Sequence, residues 1–79
     1  MAANLTAPQV ALDSGTGKDL SPRERQVLAH IAAGYTHFQT SRRLSISQSS
    51  VDTYLQRIRT KLDAPTRADL IRAAIRLGL

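Results

Sequence analysis

Residues 47–62 read SQSSVDTYLQRIRTKL, and this stretch decides the fold. Its apolar residues Val51, Leu55, Ile58 and Leu62 recur at helical spacing and form one stripe that must be buried. The opposite face carries Ser49, Asp52, Thr53, Gln56, Arg59 and Thr60, all able to form hydrogen bonds. A helix with a packed back and such a front has the form needed to read base edges in a DNA major groove. No other part of the chain points to a chemistry of its own.

Working outward, the boundaries of the neighbouring helices are marked in the sequence. Ser47 can cap the helix over 48–62 by accepting from the N–H groups of its first turn. Upstream, Thr36-His37-Phe38-Gln39 is a capping box that opens a short helix to about Leu44, and Ser45-Ile46 is a tight connection. Further upstream, Ser21-Pro22-Arg23-Glu24 is another capping box with Pro at the first helical position. The helix it opens runs to about Ala33, burying Val27, Leu28, Ile31 and Ala32, and Gly34 stops it. Downstream, Asp63-Ala64-Pro65 breaks the long helix. Thr66-Arg67-Ala68-Asp69 caps a fourth, which runs toward Leu77 with Leu70, Ala74 and Leu77 as its core stripe and Gly78 at its end. No strand pattern appears, so the expected class is all-α with four helices. A short helix, a tight turn and a longer helix with a polar front describe a helix-turn-helix.

The 79 residues allow one small domain. Residues 1–19 are small, polar and turn-prone, with Pro8, Gly15 and Gly17, and read as a disordered, flexible N-terminal tail or linker. Residues 20–79 are the folded part. They hold ten basic and four acidic side chains, an excess of +6, which suggests a polyanionic partner such as nucleic acid. There is no Cys, so neither a disulfide nor a thiolate metal site is possible. No apolar run approaches the roughly 20 residues of a membrane span, and the start lacks a secretory signal pattern. A cytoplasmic protein without a membrane partner is expected.

Residues 20–79 closely resemble the LuxR-type (GerE-like) DNA-binding domain of bacterial transcription regulators. The resemblance is carried by Leu20-Ser21-Pro22-Arg23-Glu24-Arg25-Gln26-Val27-Leu28, Ala33-Gly34, Arg42-Arg43-Leu44, Ile46-Ser47, Val51, Ile58, Lys61-Leu62, Arg67, Asp69-Leu70, Ala74 and Gly78-Leu79. Sigma-factor region 4 shares the opening Pro-Arg-Glu but fits the ending worse. The resemblance implies a four-helix fold whose third helix enters the major groove of double-stranded DNA. It implies base contacts from Asp52, Thr53 and Gln56, and phosphate contacts around Ser47, Ser50, Tyr54, Arg57 and Lys61. It also implies a homodimer through the fourth helix, where Ile71 and Ile75 lie four apart and outside the core stripe.

Four positions depart from the family pattern. Asp52 stands where Lys is usual, Thr40 where an Ile packs the short helix, Ser45 where Gly allows a tight turn, and Phe38 where the residue is usually polar. The Thr40 and Phe38 changes are compatible with a rotated or repacked short helix. Asp52 either faces the groove, where a carboxylate can accept from the amino group of cytosine, or turns toward Arg59 or Ser49. Arg57, Arg59 and Lys61 either grip phosphates or solvate a helix face, and Arg42 and Arg43 stand between the same two roles. Tyr54 either donates to a phosphate or covers the core edge.

His30 and His37 are the only histidines, and no further ligands are grouped near them, so no metal and no cofactor are expected. No nucleophile–base pairing, glycine-rich phosphate loop or paired carboxylate supports catalysis. Two functions remain. One is a sequence-specific DNA-binding transcription regulator acting as a dimer. The other is a LuxR-like interaction module with weak DNA binding that pairs with another regulator. The chain is either a C-terminal domain of a longer regulator or a small regulator in its own right.

Overall fold

A computed structural model describes residues 19–79 of the chain; the tail expected over 1–19 therefore lies, but for Asp19, outside the described residues. Four helices follow one another: α1 (Pro22–Ala32), α2 (His37–Leu44), α3 (Gln48–Leu62) and α4 (Arg67–Arg76). Among the described residues there is no strand. All four starts fall where the sequence places them. Ser21, Thr36 and Thr66 each close a reciprocal capping box with Glu24, Gln39 and Asp69, while Ser47 caps α3 alone by accepting from the Ser50 N–H.

The four helix ends share one device. The N–H groups of Tyr35, Ile46, Ala64 and Leu79 reach back five residues to the carbonyls of His30, Ser41, Arg59 and Ala74. In each case the preceding residue is left-handed: Gly34, Ser45, Asp63 and Gly78. This motif satisfies carbonyls that would otherwise lack a partner. Glycine adopts this conformation without a Cβ penalty, whereas Ser45 (φ 59°) and Asp63 (φ 53°) do so against their side chains.

The helices α1 and α3 each pack against every other helix, and α2 and α4 touch only those two. The core forms between them from Val27, Leu28 and Ile31 of α1, Val51, Leu55 and Ile58 of α3, Leu70 and Ala74 of α4, and Ala64 of the α3–α4 turn. Each of the larger side chains contributes about 1.5–3 kcal/mol by leaving water. Ala32 and Leu62, expected in the core, pack on its edge half-buried. One expectation is corrected. Leu77 is the cap of α4 rather than part of its stripe and stands 41% exposed, because the helix ends at Arg76; Ala73 is buried instead.

The short helix keeps its register. Thr40 faces inward and is completely buried, and Phe38 stays outside at 53% exposure. The substitutions therefore do not rotate α2. They leave a mark all the same, because the buried Thr40 hydroxyl has no hydrogen-bond partner.

Candidate nucleic-acid interface

The outer face of α3 is built by its inner one. With Val51, Leu55 and Ile58 sealed in the core, the 3.6-residue repeat turns Ser49, Asp52, Thr53, Gln56, Arg57 and Thr60 to solvent. Two of these side chains are already oriented. The Thr53 hydroxyl donates to the Ser49 carbonyl (3.0 Å) and that of Thr60 to the Gln56 carbonyl (3.1 Å). Thr53 thus stands exposed with its hydroxyl proton engaged, leaving the oxygen's lone pairs as acceptors. The Gln56 amide bonds to none of the described side chains or backbone groups and stands exposed.

At the start of α3 three hydroxyls cluster. Ser47 accepts from the Ser50 N–H (3.0 Å), donates to the Ser50 hydroxyl (2.9 Å) and lies 3.2 Å from that of Ser49. The positive end of the helix dipole lies behind them, so the cluster suits an anion. One turn on, the Arg57 guanidinium lies 5.9 Å from the centre of the Tyr54 ring. Ser49, Ser50, Thr53, Tyr54 and Arg57 line a shallow cleft of about 260 Å³. Ser47, Ser50, Tyr54 and Arg57 therefore share one end and one flank of α3, beside Asp52, Thr53 and Gln56.

Lys61 is placed apart from them. Its ammonium donates to the Glu24 carboxylate (2.9 Å) and to the Asp19 carbonyl (3.3 Å), with side-chain exposures of 13% for Lys61 and 1% for Glu24. Glu24 also accepts from the Ser21 N–H within the capping box (2.9 Å). The ammonium is thus committed to the joint between α1 and α3. The sequence holds a signal for this pair. Glu24 lies on the same stripe as Val27, Leu28 and Ile31, and Lys61 adjoins Ile58 and Leu62; a charge on the apolar face of each of two helices calls for a partner. Arg59 is half-buried, and its Nε is sealed without a hydrogen-bond partner.

Asp52 turns to neither Arg59 nor Ser49. Its Oδ1 lies 2.9 Å from Nδ1 of His37, the first residue of α2, so an exposed pair ties the two helices of the helix-turn-helix together. Nothing in the spacing of 15 residues announces this contact, which depends on the turn between the helices. His30 instead hydrogen-bonds the Gln26 carbonyl of its own helix (2.7 Å). No group of three or more potential metal-ligating side chains occurs among the described residues.

A second face lies on α2. Tyr35, Phe38, Gln39, Arg42 and Arg43 line an open groove of about 430 Å³. The Arg42 guanidinium stands 5.7 Å from the Phe38 ring centre and that of Arg43 4.5 Å from the Tyr35 ring centre. On α4, Ile75 is 70% exposed and Ile71 half-buried.

This geometry agrees with what comparison shows. The profile of bacterial regulatory proteins of the luxR family matches residues 18–74. The chain is 37% identical over 60 residues to the transcriptional regulatory protein FixJ of Bradyrhizobium diazoefficiens, covering 76% of this chain and 29% of FixJ. It is 39% identical over 59 residues to the transcriptional activator RamA of Corynebacterium glutamicum, covering 75% and 21%. It is 34% identical over 71 residues to the response regulator TmoT of Ectopseudomonas mendocina, covering 90% and 32%. The matches span a third or less of the length of these relatives. No solved structure matches the chain. The chain belongs to the luxR family of bacterial regulatory proteins, and its fold is that family's helix-turn-helix domain for DNA-binding transcription regulation. Among the described residues, no helix is long and apolar enough to cross a membrane.

Proposed function

We propose that this chain binds double-stranded DNA in a sequence-specific manner by inserting α3 into the major groove, as part of a cytoplasmic transcription regulator and not as an enzyme. The observation that carries the reading is the two-sided character of α3: Val51, Leu55 and Ile58 are sealed behind it, and Asp52, Thr53 and Gln56 stand exposed in front. In this reading those three meet base edges. Asp52 offers an acceptor, Thr53 a methyl group and lone pairs, and Gln56 an amide able to pair with adenine. Ser47, Ser50, Tyr54 and Arg57 contact phosphates along the strand that borders the groove, and Lys61 acts as the tether between α1 and α3 that keeps the reading helix in place. Two copies pair through Ile71 and Ile75 of α4, which gives a twofold arrangement on two half-sites.

A second reading, an interaction module that pairs with another regulator, is favoured by one observation: the outward groove of Tyr35, Phe38, Arg42 and Arg43. A titration against random duplex DNA, repeated across salt, separates the two. A DNA binder loses affinity steeply with salt, and Arg57→Ala flattens the plot of log affinity against log salt by about 0.9. Salt-independent or absent binding favours the interaction module.

A further inference from the structure

We infer that His37, on α2, sets the base preference of the DNA-reading helix by holding Asp52. The inference rests on the reading that α3 enters the major groove. A carboxylate only accepts hydrogen bonds, so in the 2.9 Å contact His37 Nδ1 is the donor and Asp52 Oδ1 the acceptor. No other side chain hydrogen-bonds to Asp52 among the described residues. His37 itself is well anchored. It follows Thr36, whose N–H donates to the Gln39 amide oxygen (2.9 Å) and whose hydroxyl accepts from the Gln39 N–H (3.0 Å). The backbone that carries the imidazole is therefore fixed by a closed capping box, and the imidazole in turn fixes the carboxylate.

The consequence is chemical. A free aspartate on a groove face swings between rotamers and presents either oxygen. Held at Oδ1, Asp52 presents Oδ2 as one acceptor in one place. The matching partner is a single exocyclic amino group on a base edge, N4 of cytosine or N6 of adenine. Guanine and thymine present acceptors at the corresponding edge and are rejected by like partial charge. The contact also joins the first turn of α2 to the second turn of α3, so the position of the acceptor is set by both helices. His37 is thus a positioning residue for specificity that touches no base.

The test uses the whole chain and a duplex library in which each base pair of a selected site is randomised in turn. Wild type, Asp52→Ala, Gln56→Ala, His37→Ala, His37→Asn and the double variant His37→Ala/Asp52→Ala are compared. Asp52→Ala identifies the base pair it reads as the one position where preference collapses. At that position, His37→Ala should reduce the preference for an amino-bearing base by a factor of about 2–10, the worth of one hydrogen bond, and leave other positions unchanged. His37→Asn, whose amide can donate to the same oxygen, should restore most of it. In the double variant the His37 substitution should have no further effect. If His37→Ala keeps the wild-type preference while Asp52→Ala loses it, the inference falls and the groove reading stands. If no position depends on Asp52 while Gln56→Ala still changes the preference at one, the inference falls and the groove reading stands; if neither substitution changes any preference, the groove reading falls and takes the inference with it. Melting curves of both His37 variants confirm that each compared domain is folded.

Discussion

Two polar side-chain contacts tie α3 to the rest of the molecule, and they have the same length. Glu24–Lys61 joins it to α1 and His37–Asp52 joins it to α2, each at 2.9 Å. Their surroundings differ. The first has side chains 1% and 13% exposed, and the second 42% and 63%. Taking a charge from water costs several kcal/mol, so a sealed pair is stable only while both members are present, and removing one leaves the other unpaired. An exposed pair is screened and contributes at most about 1 kcal/mol. Equal geometry therefore supports two different jobs. At the α1 end the pair holds the fold, and at the α2 end its small energy leaves it available to orient a side chain on the exposed face of α3.

The sharpest way to break this contrast is to delete one member of each pair. Lys61→Ala should destabilise the domain by about 3–5 kcal/mol, a large part of a small domain's stability, while Asp52→Ala should cost less than about 1 kcal/mol. Urea unfolding of both variants checks it, and equal costs would erase the distinction. The next effects lie in the same α2 region and have the opposite sign. Thr40→Val removes a buried hydroxyl without a partner and should stabilise by about 1 kcal/mol. Ser45→Gly relieves a left-handed residue in the turn and should stabilise by roughly 0.5–1 kcal/mol, less whatever entropy glycine adds to the unfolded chain. If either variant is destabilised, α2 is not the strained region it is taken to be.

The smallest effect concerns pH and lies outside both pairs. The Asp69 carboxyl is held below its ordinary value of 3.8, first by the Thr66 hydroxyl, then by the Thr66 N–H, with Arg72 and Arg76 nearby. A depressed carboxyl adds stability that is fully present above the unfolded value and is lost as pH falls through the lower folded one. Asp69→Asn should therefore lower stability slightly across the neutral range, where the carboxylate's contribution is fully present, and the difference from wild type should vanish as pH falls below about 3.8. Unfolding midpoints between pH 2 and 7 measure it.

Helix starts, and the ends of the first three helices, were legible because each is set by a few neighbouring residues: a hydroxyl and an acid or amide three residues on, or a residue able to turn left-handed. The exposed polar face of α3 was legible for the same reason, since spacing alone separates Val51, Leu55 and Ile58 from Asp52, Thr53 and Gln56. What the spacing could not supply were contacts between helices. Glu24 meets Lys61 across 37 residues and His37 meets Asp52 across 15, and both depend on how α3 is laid against its neighbours. The first left a trace, a charge on an apolar stripe. The second left none, because both residues are ordinary on an exposed surface. Leu77 was misread because the stripe was continued one position past the end of the helix.

The measurement that bears most directly on the account is the mapping of backbone amide NMR shifts as duplex DNA is added to the domain. If α3 enters the groove, the largest changes fall on residues 47–57 and on His37, the exposed face of α4 moves little at the monomer–DNA stage, and Tyr35, Arg42 and Arg43 of the second groove stay close to their free positions. Changes centred on that groove or on α4, with residues 47–57 unmoved, would contradict it.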